Sequence, residues 1–307
     1  MLHRVRAADG RALTVETMGD PEGRPIFLLH GTPGCRLGPT PRGMTLYHRG
    51  IRLISPDRPG YGGSDRLPGR TVADAAADVA AVADALGLDR FAVVGRSGGA
   101  PHALACAALL PDRVTRTAAL VALAPRDAEG LDWFEGMTPF NVREYTTAGH
   151  DPDTLIARLT ERADAIRVDP GRLLYELRHE LSPDDRAYIA DANLRRMLEL
   201  NYQEAVRVSA WGWIDDALAL ARPWGLDPAD IPGPVLLWHG EQDVFSPIGH
   251  SRWLAERIPR AIAAFDPRGA HFAALGALPR ILLWLLRDLP HPQGPAVRDE
   301  AGDRRPA

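Results

Sequence analysis

One serine of the chain lies in a short sequence that suits nucleophilic catalysis. Gly95-Arg96-Ser97-Gly98-Gly99 has the form G-x-S-x-G, follows the apolar stretch FAVVG and precedes a small-residue stretch with helical character. A serine at such a turn exposes its hydroxyl, and the free N–H groups of the helix N-terminus can stabilise a developing oxyanion. The segment does not fit the G-x-G-x-x-G pattern of a dinucleotide loop. We therefore predict that Ser97 is a nucleophile.

Such a serine requires a base, and the last quarter of the chain offers several histidines. His271 stands in the loop DPRGAHF, between the last strand-like run and the final helix. Active sites of parallel α/β sheets lie in loops at the carboxyl ends of the strands, so we expect His271 to be the base. His250, which follows Pro247 at the start of a helix, is the alternative, whereas His291 falls in the C-terminal tail.

An acid must orient that imidazole. In α/β sheets that carry a G-x-S-x-G turn, this acid comes between the serine and the histidine along the chain. Asp243 lies three residues beyond the glycine that closes the strand-like run PVLLWHG. We expect Asp243 to accept the Nδ1–H of His271 and to stabilise the imidazolium. Glu241 and Asp266 are the alternatives.

Backbone donors for the oxyanion are expected in the loop that follows an earlier strand. The sequence His30-Gly31-Thr32-Pro33-Gly34 closes the apolar run PIFLLHG. Because Pro33 has no N–H, the amide of Thr32 is the expected donor from this loop. The second expected donor is the amide of Gly98, the residue directly after the nucleophile.

The elements that must position these residues alternate between strands and helices. A hairpin pattern opens the chain, and buried-strand patterns recur at 25–31, 51–57, 91–95, 116–124, 234–240 and 261–266. Helical patterns occupy 71–87, behind a threonine that could cap the helix, and 98–110; a final helix is predicted over 279–289. This order predicts an α/β fold, with a mostly parallel sheet and helices on both faces.

The alternation stops in the middle of the chain. From 126 to 226 the strand-like runs vanish, and charged helical patterns such as TLIARLTERADAIRV replace them. We therefore predict an α/β core formed by residues 1–125 and 227–290, interrupted by a helical cap at 126–226. Residues 291–307 are rich in proline and charge, and we predict that this tail is disordered.

Composition excludes several other classes of function. The net charge is −4 and the pI about 6.2, which disfavours a nucleic-acid binder that relies on a basic surface. All 36 basic residues are arginine, so the chain has no lysine for a Schiff base or for a phosphate-binding P-loop. Cys35 and Cys106 are far apart and form no CxxC pair, which predicts neither a metal knuckle nor a disulfide framework.

Nothing in the sequence points to a membrane or to secretion. No apolar run is long enough to span a bilayer, and the start MLHRVRAADG lacks the apolar centre of a signal peptide. We therefore expect a cytoplasmic protein that acts on a small molecule, with no nucleic-acid and no membrane partner. The sequence leaves the oligomeric state open.

These motifs make the chain resemble the α/β-hydrolase superfamily. The resemblance covers residues 10–290 and rests on HGTPG, DRPGYGGS, GRSGG, GEQDVFSP and GAHF. It implies an eight-stranded sheet, a triad of Ser97, Asp243 and His271, a cap domain after the sixth strand, and no cofactor. Within the superfamily the chain is most similar to capped hydrolases of the prolyl-aminopeptidase type, whose HGGPG resembles HGTPG.

The nucleophile turn departs from that type, because Gly98 stands where an aromatic or polar residue is usual. The predicted activity is therefore broader, namely a serine hydrolase that cleaves an ester, thioester or amide bond of a small substrate through an acyl-enzyme. A prolyl-type aminopeptidase, a C–C hydrolase, a lyase or an acyl-transfer cyclase on the same triad remains an alternative. A receptor that binds a small ligand without turnover is a further alternative of another class.

The predicted cap is rich in aromatic residues and is expected to select the substrate. Aromatic side chains there can line an apolar acyl pocket, or they can pack as the core of the cap. The candidate substrate-binding residues are Trp133, Phe140, Glu176, Glu204 and Trp211. The glutamates would suit a substrate with a free amine, for which Glu180 is a further candidate.

Overall fold

A computed structural model describes residues 1–287, so the predicted tail at 291–307 lies outside the described residues. Within residues 1–287, one sheet contains eight strands: β1 (Leu2–Arg6), β2 (Ala12–Gly19), β3 (Arg24–Leu29), β4 (Ile51–Pro56), β5 (Phe91–Arg96), β6 (Val114–Leu120), β7 (Val235–Gly240) and β8 (Ala261–Asp266). Their order is β1-β2-β4-β3-β5-β6-β7-β8; β2 pairs antiparallel with β1 and β4, and all other pairs are parallel. The predicted α/β class with a mostly parallel eight-stranded sheet is confirmed.

The central strands are almost continuously apolar because helices cover both faces of the sheet. Alternate residues of β5 enter different cores, as the two-residue period of a strand requires. Phe91 and Val93 belong to one core, which contains Leu104 from the helix after β5. Ala92 and Val94 belong to the opposite core, which the last helix of the described chain helps to build.

Helices cover the sheet on both faces, as the order of the elements predicted. Those outside the long insertion are α1 (Gly43–Tyr47), α2 (Ala75–Ala85), α3 (Gly99–Leu109), α10 (Ile248–Arg257) and α11 (Ala273–Leu285). Helix α2 begins later than the sequence pattern suggested, and Thr71 does not cap it. Instead, the N–H and hydroxyl of Thr71 donate to the carboxylate of Asp74.

The last helix begins at Ala273, six residues before the predicted start at Pro279. Pro279 is a poor marker of a helix start here, because it lies inside α11. The residues before it, from Ala273 to Leu278, are small or apolar, and Ala274 and Leu278 are buried against the sheet. Burial against the sheet therefore extends the helix past a residue that removes one backbone donor.

The segment between β6 and β7 is helical, as its sequence pattern predicted. Its helices within the described chain are α4 (Pro139–His150), α5 (Pro152–Val168), α6 (Arg172–Leu177), α7 (Pro183–Ala190), α8 (Ala192–Ala205), α9 (Trp211–Leu220) and a 3-10 turn (Pro228–Asp230). Side chains of Thr138, Asp151, Ser182 and Asp191 accept a hydrogen bond from an amide three residues on. These caps satisfy free amides and explain where α4, α5, α7 and α8 begin.

The helical segment has a core of its own, formed by residues such as Leu155, Leu159 and Leu198, and Tyr61 and Phe272 from the rest of the chain join it. Conversely, Trp133, Met137 and Trp224 pack into the core of the sheet although they lie within 126–226. The division into a core at 1–125 and 227–290 and a cap at 126–226 therefore stays a prediction. In the part of the chain that the structure describes, no helix is long and apolar enough to cross a membrane.

Candidate active site

Ser97 occupies the turn between β5 and α3 in a strained backbone conformation. Its φ of 54° lies in the left-handed region, where few residues other than glycine are found. Its N–H donates to Leu120 O at 2.9 Å, and its carbonyl accepts from Ala100 N at 2.8 Å. A β-carbon at Gly95 would lie only 2.1 Å from Gly99 O, so the chain can turn this sharply only with glycine there. The turn therefore holds the hydroxyl of Ser97 at the carboxyl edge of the sheet.

His271 and Asp243 form a direct pair on the neighbouring loops. His271 Nδ1 donates to Asp243 Oδ2 at 2.8 Å, which fixes the tautomer and leaves Nε2 as the free nitrogen. The other carboxylate oxygen of Asp243 accepts from the amides of Phe245 and Ser246 at 2.8 and 3.1 Å. Burial alone would raise the pKa of Asp243, but the charge of His271 and its hydrogen bonds hold that pKa well below its usual range. Asp243 is therefore ionised and aimed at His271.

A further group of buried residues supports Asp243. His239 Nε2 donates to Ser246 O at 2.6 Å and lies 3.3 Å from Asp243 Oδ2. The Ser246 hydroxyl lies 2.8 Å from Val121 O and 3.2 Å from Asp243 Oδ2. Val121 has a φ of 45°, which is rare for a β-branched residue. The carbonyl of Val121, a residue with a strained backbone, therefore helps to position the loop that carries Asp243.

Thr32 and Gly98 offer free backbone amides next to the nucleophile. Neither N–H has an acceptor within the described residues, as an oxyanion site requires. A β-carbon at Gly98 would lie 2.2 Å from Thr32 Oγ1, so the threonine side chain occupies the space that a larger residue after the nucleophile would need. The side chain of Thr32 therefore gives a steric reason for glycine at position 98, where the prolyl-aminopeptidase type usually has an aromatic or polar residue.

Asp216 of α9 ties the helical segment to the Thr32 loop. Its carboxylate accepts from Thr32 Oγ1 at 2.5 Å, from Tyr61 OH at 2.8 Å and from Arg70 at 2.6 Å, and Arg58 also donates to it. Burial would raise the pKa of Asp216, but the two guanidinium groups hold it well below the usual range. Asp216 is thus a buried anion with complete charge compensation.

Asp185 of α7 ties the same segment to the His271 loop in a different way. Its two carboxylate oxygens accept from the backbone amides of His271 at 3.4 Å and Phe272 at 2.8 Å. Within the described residues it forms no ion pair with an arginine. Burial raises the pKa of Asp185, although the charge of His271 partly opposes the shift.

A cavity of about 850 Å³, including its open mouth, connects these groups. Ser97, Thr32 and His271 line it, so the structure brings three of the predicted site residues to one cavity. Its apolar wall includes Leu123, Leu173, Trp213, Phe245 and Phe272, with Phe140 from the predicted substrate-binding set. The mostly apolar wall suits the acyl chain or ring of a small substrate.

The other four predicted substrate-binding residues do not line this cavity. Trp133 is buried against His250 and donates to Ala124 O, and Trp211 stacks under the guanidinium of Arg66 at 3.3 Å. Glu176 pairs with Arg172 and Arg162, and Glu204 pairs with Arg36 and Arg207. Their side-chain chemistry suggested contact with a ligand. Instead, arginines neutralise the two glutamates, and neighbouring protein groups contact the two tryptophans. Glu180, the further candidate, accepts from Phe140 N outside the cavity.

The alternative base and acids lie away from the cavity. His250 Nδ1 accepts from Ala124 N, and burial lowers the pKa of His250 to about 4. Glu241 is 3.5 Å from Arg252 on the surface, and Asp266 accepts from the amide of Arg268 as a turn residue does.

Sequence reasoning missed several residues that build the site. Asp185 and Asp216 lie on helices with no motif around them, and their partners are far away in the chain. His239 stands in the strand-like run PVLLWHG and Arg58 in the stretch DRPGYGGS, but neither motif by itself indicates a role for them. Ser246, in GEQDVFSP, also lay in a quoted motif. A buried polar residue next to a predicted catalytic group is the signal that could have found these three.

Known proteins resemble this chain along most of its length. A family model described as alpha/beta hydrolase fold matches residues 24–277. Pimeloyl-[acyl-carrier protein] methyl ester esterase of Chromobacterium violaceum is 30% identical over 263 residues, which cover 84% of this chain and 91% of that protein. A proline iminopeptidase of Xylella fastidiosa is 27% identical over 290 residues, covering 86% and 88%. A solved alpha/beta hydrolase fold protein from Nakamurella multipartita has 27% identity and a TM-score of 0.65, covering 94% and 99% of the two chains.

Proposed function

Because the chain belongs to the α/β-hydrolase family, we propose that it is a serine esterase, which cleaves the ester or thioester of a small acid through an acyl-enzyme at Ser97. One observation carries the proposal: the Asp243–His271 pair, at 2.8 Å, faces the cavity that Ser97 lines. The similarity to a methyl ester esterase, at 30% identity, favours an ester over an amide.

In the proposed reaction, the Ser97 hydroxyl attacks the carbonyl carbon while His271 Nε2 takes its proton. Negative charge develops on the carbonyl oxygen, and the N–H groups of Thr32 and Gly98 donate to it. Asp243 stabilises the imidazolium and keeps its ring in place. His271 then protonates the leaving alcohol or thiol, which leaves the acyl group bonded to Ser97. A water molecule, deprotonated by His271, releases the acid and restores the serine.

An aminopeptidase is the second candidate, and one buried atom favours it. Glu144 lines the cavity, and its Oε2 is buried with no hydrogen-bond partner among residues 1–287, while its Oε1 pairs with Arg162 at 2.7 Å. A free ammonium group of a substrate could donate to that oxygen. The similarity to a proline iminopeptidase points the same way. Cleavage of an aminoacyl naphthylamide, with no cleavage of its N-acetylated form, would select this candidate over the esterase.

The test of the esterase is hydrolysis of 4-nitrophenyl butyrate by the wild-type protein and by Ser97→Ala. We expect the substitution to lower kcat by about 10⁴- to 10⁶-fold, because the acyl-enzyme can no longer form. Ser209→Ala, a serine outside the cavity, is the matched control and should keep wild-type activity. Turnover in Ser97→Ala at the wild-type rate would refute the proposal.

A further inference from the structure

The residue before the nucleophile, Arg96, carries a charge that pairs with no anionic group of the described chain. Arg96 lines the cavity, and within residues 1–287 its guanidinium forms no hydrogen bond and no ion pair. Other arginines near the site are paired: Arg58 and Arg70 with Asp216, and Arg36 with Asp57. Arg96 therefore stands out as the cation of the cavity that lacks an anion.

An unpaired guanidinium is costly in such a place. Burial lowers the pKa of Arg96, and Tyr202 and the carboxylates of Asp243 and Asp185 act on it only through space. Asp243 and Asp185 are engaged with His271 and with backbone amides. A partly buried charge that lines a cavity without a protein partner marks a candidate binding site.

The guanidinium lies close to the reacting atoms. The position that a β-carbon would occupy at Gly31 is 3.6 Å from Arg96 Nη2 and also 3.6 Å from Ser97 Cβ. The guanidinium nitrogen and the Ser97 β-carbon are therefore separated by at most twice that distance. A group bound to Arg96 would lie only a few atoms from the scissile carbonyl.

The cavity's other charges do not oppose an anion there. Glu144 is the one carboxylate among the described residues that line the cavity, and Arg162 and Arg158 pair with it at 2.7 and 3.6 Å. One unpaired cation suits one negative charge. The planar fork of a guanidinium matches the two oxygens of a carboxylate.

We propose that Arg96 binds a carboxylate of the substrate, so that the esters which this site accepts carry a free carboxylate close to the scissile bond. This inference rests on the proposed esterase for its reaction, but the anion site itself does not depend on Ser97 chemistry. The carboxylate can belong to the acid part, as in a monoester of a short dicarboxylic acid. It can also belong to the alcohol part, as in an ester of a hydroxy acid.

Two pairs of substrates, each made of a carboxylate and its neutral methyl ester, test the proposal. Monomethyl succinate against dimethyl succinate places the carboxylate on the acid part, and acetoxyacetate against its methyl ester places it on the alcohol part. Initial proton release, counted per ester bond, gives kcat/KM for the two succinates, and acetate release gives it for the acetoxyacetate pair. In at least one pair the wild-type protein should favour the anion, and Arg96→Met should lower the ratio of anionic to neutral ester by about 10- to 100-fold.

Two further variants separate charge from packing. Arg96→Lys keeps the positive charge and should recover part of the lost preference for the anion. Arg49→Met removes an exposed arginine far from the cavity and should leave the ratio at its wild-type value. Ratios in both pairs that stay unchanged in Arg96→Met would overturn the proposal.

Binding without turnover distinguishes the failure of this inference from the failure of the esterase. Calorimetry would measure monomethyl succinate and acetoxyacetate with Ser97→Ala and with Ser97→Ala/Arg96→Met. Tighter binding to the protein that keeps Arg96 supports the anion site even if the wild-type protein hydrolyses neither ester. Equal binding of both esters to the two proteins overturns the anion site even if hydrolysis depends on Ser97.

Discussion

Two aspartates of the helical segment hold the two halves of the active site, and they do so by different means. Asp216 holds the Thr32 loop as part of a buried network with Arg58 and Arg70. Asp185 holds the His271 loop through two backbone amides and no cation of the described chain. Asp216 therefore holds the donor side of the site through paired charges, whereas Asp185 holds the base side through the dipoles of backbone amides.

The pKa shifts of the two carboxylates have opposite signs, and so do their contributions to stability. The pKa of Asp216 is lowered, so its contribution is present above the unfolded value and is lost only as pH falls through the lowered folded value. The pKa of Asp185 is raised, so the native state takes up this proton first and stability gains as pH falls through that folded value. The comparison teaches that charge compensation, rather than burial, decides which carboxylate stabilises the fold.

The largest expected effect comes from Asp216→Asn. The substitution leaves two buried guanidinium groups without their anion, which should lower the free energy of unfolding by about 3–5 kcal/mol. Asp215→Asn is the matched control on the same helix, because the side chain of Arg66, the partner of Asp215, remains 31% exposed. Urea denaturation measures both. Equal losses of unfolding free energy in the two variants would contradict the special role of the buried Asp216 network.

A second prediction concerns the side chain that Asp216 positions. Gly98→Ala should destabilise by about 1–3 kcal/mol, because its β-carbon would collide with Thr32 Oγ1. Thr32→Gly removes the colliding atoms and should restore much of that loss in the double variant. Thermal unfolding of the single variants and the double variant gives the coupling between the two positions. Strictly additive losses would show that Thr32 does not occupy this space.

The third prediction uses His102, whose Nε2 lies 3.9 Å from Asp216 Oδ1 and has no hydrogen-bond partner in the described part of the chain. Burial and the charge of Arg58 lower the pKa of His102 to about 3. The unfolded chain binds this proton near pH 6.5, so stability falls as pH drops below that value, by about 2–3 kcal/mol at pH 4.5. His102→Asn should give a shallower decline in unfolding free energy between pH 6.5 and 4.5. An unchanged slope would mean that His102 is protonated in the native state.

The smallest effect is expected from Asp185→Asn. An asparagine offers one oxygen, so one of the two amide bonds is lost, but an uncompensated buried charge disappears too. We expect the free energy of unfolding at pH 7 to change by less than about 1 kcal/mol. The measurement is urea denaturation beside Asp216→Asn. A loss as large as that of Asp216→Asn would erase the difference between the two aspartates.

Much of the fold could be predicted because its signals are local. Continuous apolar runs at β3, β5 and β7 indicate strands that helices cover on both faces. The start of α11 could not be placed, because Pro279 resembles a helix start while tertiary burial of Ala274 and Leu278 decides the true beginning.

The site divides in the same way between local and distant signals. Ser97, Thr32 and Gly98 stand in short glycine-containing motifs whose geometry follows from neighbouring residues. The carboxylates of Asp185 and Asp216 find partners 86 and 158 positions away, and no spacing in the sequence encodes those contacts. Trp133 and Glu204 do not line the cavity in part for the same reason, since His250 and Arg36, which contact them, lie far away in the chain.

The account depends most on Ser97 as the nucleophile, and covalent trapping tests this directly. The protein would be treated with a fluorophosphonate until one equivalent has reacted, and then digested and mapped by tandem mass spectrometry while residual esterase activity is followed. We predict a single phosphonyl group on Ser97, with activity lost in proportion to its formation. Full activity in protein whose Ser97 is completely modified, or complete inactivation by a label on another residue, would contradict the account.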